Sequence, residues 1–306
     1  MSRNTHTRRR PGRRAAVAVG LVLAVGLGVS TQGAAHAAVA APAKASVKAS
    51  AAVRSVSGFN GDVVTQVADF YGAYVDAKDD VSGPDTVLAK ALRAHYLTPA
   101  FAKRLETWEK RNKTDGVLRA QNVPAQWTVS EGGNGLEVVV TLTFGGAGES
   151  PTRTTTLVVK LDPVDGITDI RTTSVAAAKA SAAVRSVSGR AGDSVTQVAD
   201  FYGAYVDAKD DVSGPDTVLV KALRAHYLTP AFAKRLEAWE ERNKVDGVLR
   251  AQNVPVDWTV SGDGESREIV VTHRFGGGES PTVTTNLVVE ADSVDGVTDI
   301  RTTSAR

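Results

Sequence analysis

Asp69-Phe70-Tyr71-Gly72-Ala73-Tyr74-Val75 returns unchanged as Asp200-Phe201-Tyr202-Gly203-Ala204-Tyr205-Val206, and this repetition decides how the chain is organised. A second run, Arg93-Ala94-His95-Tyr96-Leu97-Thr98-Pro99, returns as Arg224-Ala225-His226-Tyr227-Leu228-Thr229-Pro230. Outward from these runs, residues 55–128 align with residues 186–259 at an offset of 131, with no gap and nine differences in 74 pairs. A repeat of that length is a whole domain rather than one unit of a solenoid, so the chain is a tandem domain duplication.

The flanks read differently from the repeats. Residues 1–37 carry Arg3, Arg8, Arg9, Arg10, Arg13 and Arg14, then an apolar stretch over residues 15–30, then the small-x-small site Ala35-His36-Ala37. This is the pattern of a cleaved export signal, and its apolar part is shorter than the roughly 20 residues of a spanning helix. Residues 38–54, rich in Ala, Pro, Lys and Ser, read as a tether, and residues 175–185 read as a linker. Copy 1 then occupies residues 55–174 and copy 2 residues 186–304. The expected location is extracellular, with no membrane span after signal cleavage.

Charge follows the same division. The formal charge of +2 includes the six leader arginines; without them 30 basic side chains face 34 acidic ones. Acidic domains gain nothing from counterion release, so nucleic acid is excluded as a partner class. The chain has no cysteine, which excludes thiol nucleophiles, cysteine metal sites and disulfides. No Gly-x-Ser-x-Gly elbow and no close histidine pair in either repeat suggest hydrolase or metal chemistry, and no cofactor is expected.

Within each copy the hydrophobic period changes midway. Val64, Val67, Phe70 or Tyr71, and Tyr74 recur at helical spacing. Leu88, Ala91, Leu92 and His95 or Tyr96 mark a second helix, with Asp85 as its expected cap. Thr98-Pro99 restarts a third helix expected to bury Phe101, Leu105 and Trp108. After Asp115-Gly116 the period becomes two: a short strand over residues 126–130, then Leu136, Val138, Val140, Leu142 and Phe144, then residues 152–161, then residues 167–173. Three helices followed by four strands with short turns describe an α+β domain, an antiparallel meander covered on one face by helices.

The motifs Asp69-Phe70-Tyr71-x-x-Tyr74, Tyr96-Leu97-Thr98-Pro99, residues 115–124 and Gly166-Ile167-Thr168-Asp169-Ile170 together resemble the nuclear-transport-factor-2-like superfamily. The resemblance is nearest to its small bacterial envelope lipoproteins and covers residues 64–170 and 195–300. It implies two tandem cone domains, each with three N-terminal helices packed on a curved antiparallel four-stranded sheet around a pocket. It implies no single activity, because the superfamily holds isomerases, dehydratases and non-catalytic binding domains. The chain departs from those lipoproteins in lacking an anchoring cysteine.

Candidate ligand-binding residues follow from this layout. Arg119, Gln121 and Asn122 (Arg250, Gln252 and Asn253 in copy 2) sit in an irregular stretch between helix and sheet, where donors can orient a ligand at a cone mouth or satisfy a buried connection. Tyr71 and Tyr74, with Tyr202 and Tyr205, place hydroxyls on the first helix. His273 replaces Leu142 on the long strand, which puts a titratable group either in a pocket of copy 2 or at the sheet margin. His95 and His226 read as packed boundary residues. The acidic run Asp76, Asp79, Asp80, Ser82 and Asp85 reads as a solvated turn, since its spacing is not that of a calcium loop.

Three functional expectations result. The first is an exported, non-enzymatic binding protein engaging a protein or small ligand outside the cytoplasm, with duplication giving bivalency. The second is an isomerase- or dehydratase-type enzyme with a pocket in each cone. The third is a structural pseudo-dimer in which the copies pair sheet to sheet.

Overall fold

Each copy opens its helical half with signals the sequence supplies. In the computed structural model, which describes residues 53–79, 86–133, 135–145, 153–162, 166–174, 185–210, 217–263, 266–277, 280–292 and 296–303, helix α1 spans Val63–Asp79. Helix α2 spans Val87–Tyr96 and α3 spans Pro99–Asn112. Thr98 caps α3 by accepting from the Phe101 N–H, and Pro99 fills the first helical position, where no N–H is needed. The cap of α2 is Thr86 rather than Asp85: its hydroxyl accepts from the Ala89 N–H at 3.1 Å. The second copy repeats these as α4 (Ser194–Asp210), α5 (Val218–Tyr227) and α6 (Pro230–Asn243). The leader, the tether through residue 52, residues 80–85 and residues 175–184 lie outside the described residues.

The strand half of copy 1 is β2 (Gln126–Glu131), β3 (Glu137–Phe144), β4 (Arg153–Asp162) and β5 (Gly166–Thr173). In copy 2 the counterparts are β7 (Asp257–Gly262), β8 (Glu268–Gly277), β9 (Ser280–Asp292) and β10 (Gly296–Thr302). Each set is an antiparallel meander. Strict alternation on β3 turns Val138, Val140, Leu142 and Phe144 inward, as the period of two requires.

Two further strands alter the architecture. Strand β1 (Arg54–Phe59) and strand β6 (Ser186–Arg190) precede the first helix of each copy, in stretches that read as tether or as the start of a domain. Neither joins its own sheet. Strand β1 pairs antiparallel with β7 of copy 2, and β6 pairs antiparallel with β2 of copy 1. The sheets are therefore five-stranded, in the orders β5-β4-β3-β2-β6 and β1-β7-β8-β9-β10. This corrects the four-stranded expectation: the fifth strand of each sheet comes from the other copy. Gly58 lies opposite Trp258, and Gly189 opposite Trp127. A Cβ on Gly58 would stand 2.6 Å from the Trp258 ring, so glycine there makes room for the indole of the partner copy.

The helices seal the same junction. One face of α1 packs on its own sheet and another packs on α4, so α1 is buried nearly all round. At the crossing, Asp69 lies against Gly203 and Asp200 lies against Gly72. Tyr96 donates to Asp207 at 2.7 Å, and Tyr227 donates to Asp76 at 2.8 Å. Asp76 therefore belongs to the seam between copies, not to a solvated turn. Arg54 pairs with Asp193, and Arg185 pairs with Asp62 at 2.8 Å. The copies meet helix to helix with exchanged strands, not sheet to sheet, and Ala49–Arg306 forms one compact unit. Among the described residues no helix is long and apolar enough to cross a membrane.

Candidate functional site

The space between helices and sheet is filled by side chains. Phe70, Tyr71, Tyr74, Leu92, Tyr96, Leu105 and Trp127 are all buried in copy 1, and their counterparts in copy 2. Phe70 packs edge-on to Tyr71, with ring centroids 5.3 Å apart, and lies 5.2 Å from Tyr96. The Tyr71 hydroxyl donates to the Val117 carbonyl at 3.3 Å, and Tyr202 does the same to Val248. Burial holds both phenols protonated, well above the usual tyrosine range. These tyrosines are core residues whose polar tips are spent on the connection between helix and sheet.

Tyr74 heads a polar clamp that neighbouring elements complete. Its hydroxyl donates to Asp115 at 2.8 Å and accepts from Arg93 Nε at 3.0 Å. Arg93 grips both oxygens of Glu109 in a bidentate pair, and Lys78 reaches Asp115 at 3.0 Å. The other Asp115 oxygen accepts from the N–H groups of Val117 and Leu118, each at 2.9 Å, and Glu109 accepts from Gly116 N at 2.6 Å. Copy 2 repeats the clamp with Tyr205, Asp246, Arg224, Glu240 and Lys209. A groove of about 560 Å³ lies over this clamp between α2 and α3, and one of about 540 Å³ lies in copy 2. Its charges are already paired with one another, so the clamp binds three helices and a loop together.

Arg119 follows directly on that loop. It adopts a left-handed backbone (φ 52°), as Arg250 does (φ 54°), an uncommon conformation for a side-chain-bearing residue. Its guanidinium lies over the Trp108 ring, 4.0 Å from the centroid, and donates to the Ile170 carbonyl. Trp108 is therefore half-buried beneath Arg119 and is not in the core. Burial of the guanidinium without a carboxylate against it lowers the Arg119 pKa.

Beside Arg119 is an open depression of about 450 Å³ lined by Thr114, Gln121, Asn122, Phe144 and Arg153. Gln121 and Asn122 are exposed there, and Gln121 donates weakly to the Lys113 carbonyl at 3.3 Å. Arg153 lies 5.7 Å over the Phe144 ring and makes no ion pair with a described residue. Arg119, Gln121 and Asn122 lie close together in the sequence, whereas Arg153 comes from the far side of a hairpin and has no local signal pointing to this site.

In copy 2 the matching face keeps Arg250, Gln252 and Asn253 but replaces Thr114 by Val245 and Arg153 by Val283. Arg250 repeats the stack on Trp239 at 3.8 Å and the bond to Ile300. The second cation is missing, and the exposed Val283 takes its place.

His273 occupies neither of its expected places. It is fully buried on the core side of β8, a central strand, packed 5.2 Å from Tyr202 and 6.0 Å from Phe275. Neither ring nitrogen makes a well-formed hydrogen bond, though the Leu249 backbone lies near the ring, and burial pushes its pKa down to about 4. It is a neutral core residue. Among the described residues, no group of three or more His, Cys, Asp or Glu side chains is arranged to hold a metal ion.

Comparison with known proteins adds a weak likeness. No family model matches the chain, and no curated protein matches it. A crystal structure of a protein of unknown function from Bacteroides thetaiotaomicron VPI-5482 superposes with a TM-score of 0.32 at 21% identity, over 35% of this chain and 87% of that one.

Proposed function

We propose that this chain is an exported, non-enzymatic binding protein, in which two nuclear-transport-factor-2-like cones form one internally paired body and copy 1 carries the ligand face. The leader pattern and the motif resemblance support export and the cone assignment. The observation that carries the binding reading is where donors gather at an open surface. Tyr71 and Tyr202 are closed off in the core, and the hydroxyls of Tyr74 and Tyr205 are engaged in their clamps, whereas Arg119, Gln121, Asn122 and Arg153 converge on the open depression of copy 1. Two guanidinium groups and two amides beside an apolar Phe144 wall suit a carboxylate-bearing ligand, such as an acidic segment of an extracellular partner. The enzyme reading needs an enclosed pocket with an inward carboxylate, and the filled cone interiors weigh against it.

The probe is hexaglutamate, with hexaglutamine as control, followed by titration calorimetry at low salt. Hexaglutamate binds and hexaglutamine does not. Arg153→Val, which copies the residue of the second face, weakens hexaglutamate at least about tenfold, the scale of one charge-assisted hydrogen bond. Val283→Arg raises the stoichiometry toward two. Equal binding of hexaglutamate by wild type and Arg153→Val overturns the assignment, as does failure of the wild type to prefer it over hexaglutamine.

A further inference from the structure

The seam between the copies holds more buried carboxyl groups than its cations can serve. Asp69 on α1 and Asp200 on α4 are both buried, each pressed on a glycine of the opposite helix, and the Oδ2 atom of each has no hydrogen-bond partner. An ionised carboxylate in that position is costly, while a protonated one is tolerated. Asp76 and Asp207 lie about two helical turns farther along the same crossing and each accept a tyrosine hydroxyl. We propose that this seam is a pH-sensitive latch between the two copies, closed when Asp69 and Asp200 carry protons and loosened when they ionise.

The surrounding charges agree with this direction. Asp69 faces Asp207, Asp62, Arg185 and, across the crossing, Asp200; Asp200 faces Asp76, Asp69 and Asp193. Tyr96 and Tyr227 pack on the same groups as neutral phenols. The cations from the exchanged-strand segments are already engaged, Arg185 with Asp62 and Thr65, and Arg54 with Asp193. Asp79 and Asp210 add further negative charge beside Asp76 and Asp207. Burial and this repulsion raise Asp69 and Asp200 well above the carboxylate range, and burial raises Asp76 and Asp207 to about 7.

The linkage sign is opposite to ordinary acid denaturation. A carboxyl with a raised native pKa binds more protons folded than unfolded. Its stabilisation is full below the unfolded value near 4 and is lost as pH climbs to the native value. The seam is thus tightest in mild acid and weakens through neutrality.

Hydrogen exchange with mass spectrometry tests this on the full chain against Asp69→Asn/Asp200→Asn, whose amides keep the shape and cannot ionise. Comparison at one pH cancels the intrinsic exchange rate. At pH 4, peptides covering α1 and α4 exchange alike in both proteins; at pH 8.5 they exchange at least about tenfold faster in wild type, one proton's worth of linkage over a pH unit. An equal wild-type-to-variant ratio at both pH values overturns the latch. If the variant fails to fold, the wild type is unfolded by guanidinium in unbuffered solution at pH 7. Net proton release supports buried protonated carboxyls, and no release or net uptake overturns them.

Discussion

Gly72→Ala tests the fit of the seam most sharply, because two effects of opposite sign compete there. On an isolated helix the change stabilises, since alanine is favoured over glycine by about 1 kcal/mol. At this position an added Cβ would stand 2.8 Å from Asp200 Oδ2 and overlap Oδ1 more deeply. Asp200 is short, buried and wedged between α1 and α4, so it has little room to swing away. Overpacking of this kind costs about 1–3 kcal/mol. Gly72→Ala is therefore expected to destabilise the protein by about 1–2 kcal/mol after the helix gain is counted. With Asp200→Ala already present the clash is gone, and Gly72→Ala becomes stabilising by up to about 1 kcal/mol. Urea unfolding of the four proteins of this cycle, read at unchanged m-value, gives the coupling directly. A Gly72→Ala variant that is neutral or stabilised in the wild-type background refutes the reasoning, because Asp200 then does not press on Gly72.

Other perturbations probe the two copies separately. His273→Leu restores the residue of the first copy, removes two ring nitrogens that make no well-formed hydrogen bond and is expected to stabilise by about 1–2 kcal/mol at neutral pH. Because the native histidine is held near 4 against 6.5 unfolded, its contribution is lost as pH falls between those values. His273→Leu should therefore flatten that part of a stability–pH profile, and parallel profiles would count against a neutral buried imidazole. Arg93→Met strands Glu109 and removes a donor to Tyr74, which should cost about 2–3 kcal/mol for a half-buried pair. Arg224→Met should cost about as much by denaturant midpoint, because the two clamps use the same residues, with one added bond from Arg224 to the Tyr205 hydroxyl at 2.6 Å; a large inequality would show that they are not equivalent.

Much of the domain plan was legible in the sequence, and the reasons for the rest are physical. Thr98-Pro99 and the alternation along residues 136–144 are local signals, and both elements formed there, except that Leu136 falls outside β3 and is exposed. Strands β1 and β6 escaped notice because Arg-Ser-Val-Ser-Gly is poor in strand-forming residues. Their pairing with β7 and β2 supplies what propensity does not. The available clue was Gly58, two positions after Val56 and so on the same strand face, which fits a strand facing a large ring. Asp-Phe-Tyr-Gly shows an apolar helix face, but only the crossing of α1 and α4 reveals why an aspartate and a glycine share that helix.

The candidate site was half legible for a similar reason. Arg119, Gln121 and Asn122 are consecutive or nearly so, and their common location follows from chain proximity. Arg153 joins them only through the β3–β4 register, in which Phe144 stands opposite Arg153. Tyr71 and Tyr74 carry hydroxyls that suggest ligand contact, yet their partners Val117 and Asp115 lie more than 40 residues away. His273 was ambiguous between pocket and margin because strand order, not alternation, decides whether a position is central.

The central claim is that the duplication folds as one body through reciprocal strand exchange. The direct measurement is to place a protease site within residues 175–184, cleave it, and follow the product by size-exclusion chromatography with light scattering. The account predicts that the two fragments remain together at the mass of the uncut chain and unfold in one transition, because each sheet still needs the other copy's strand. Elution as two separate folded monomers would contradict it.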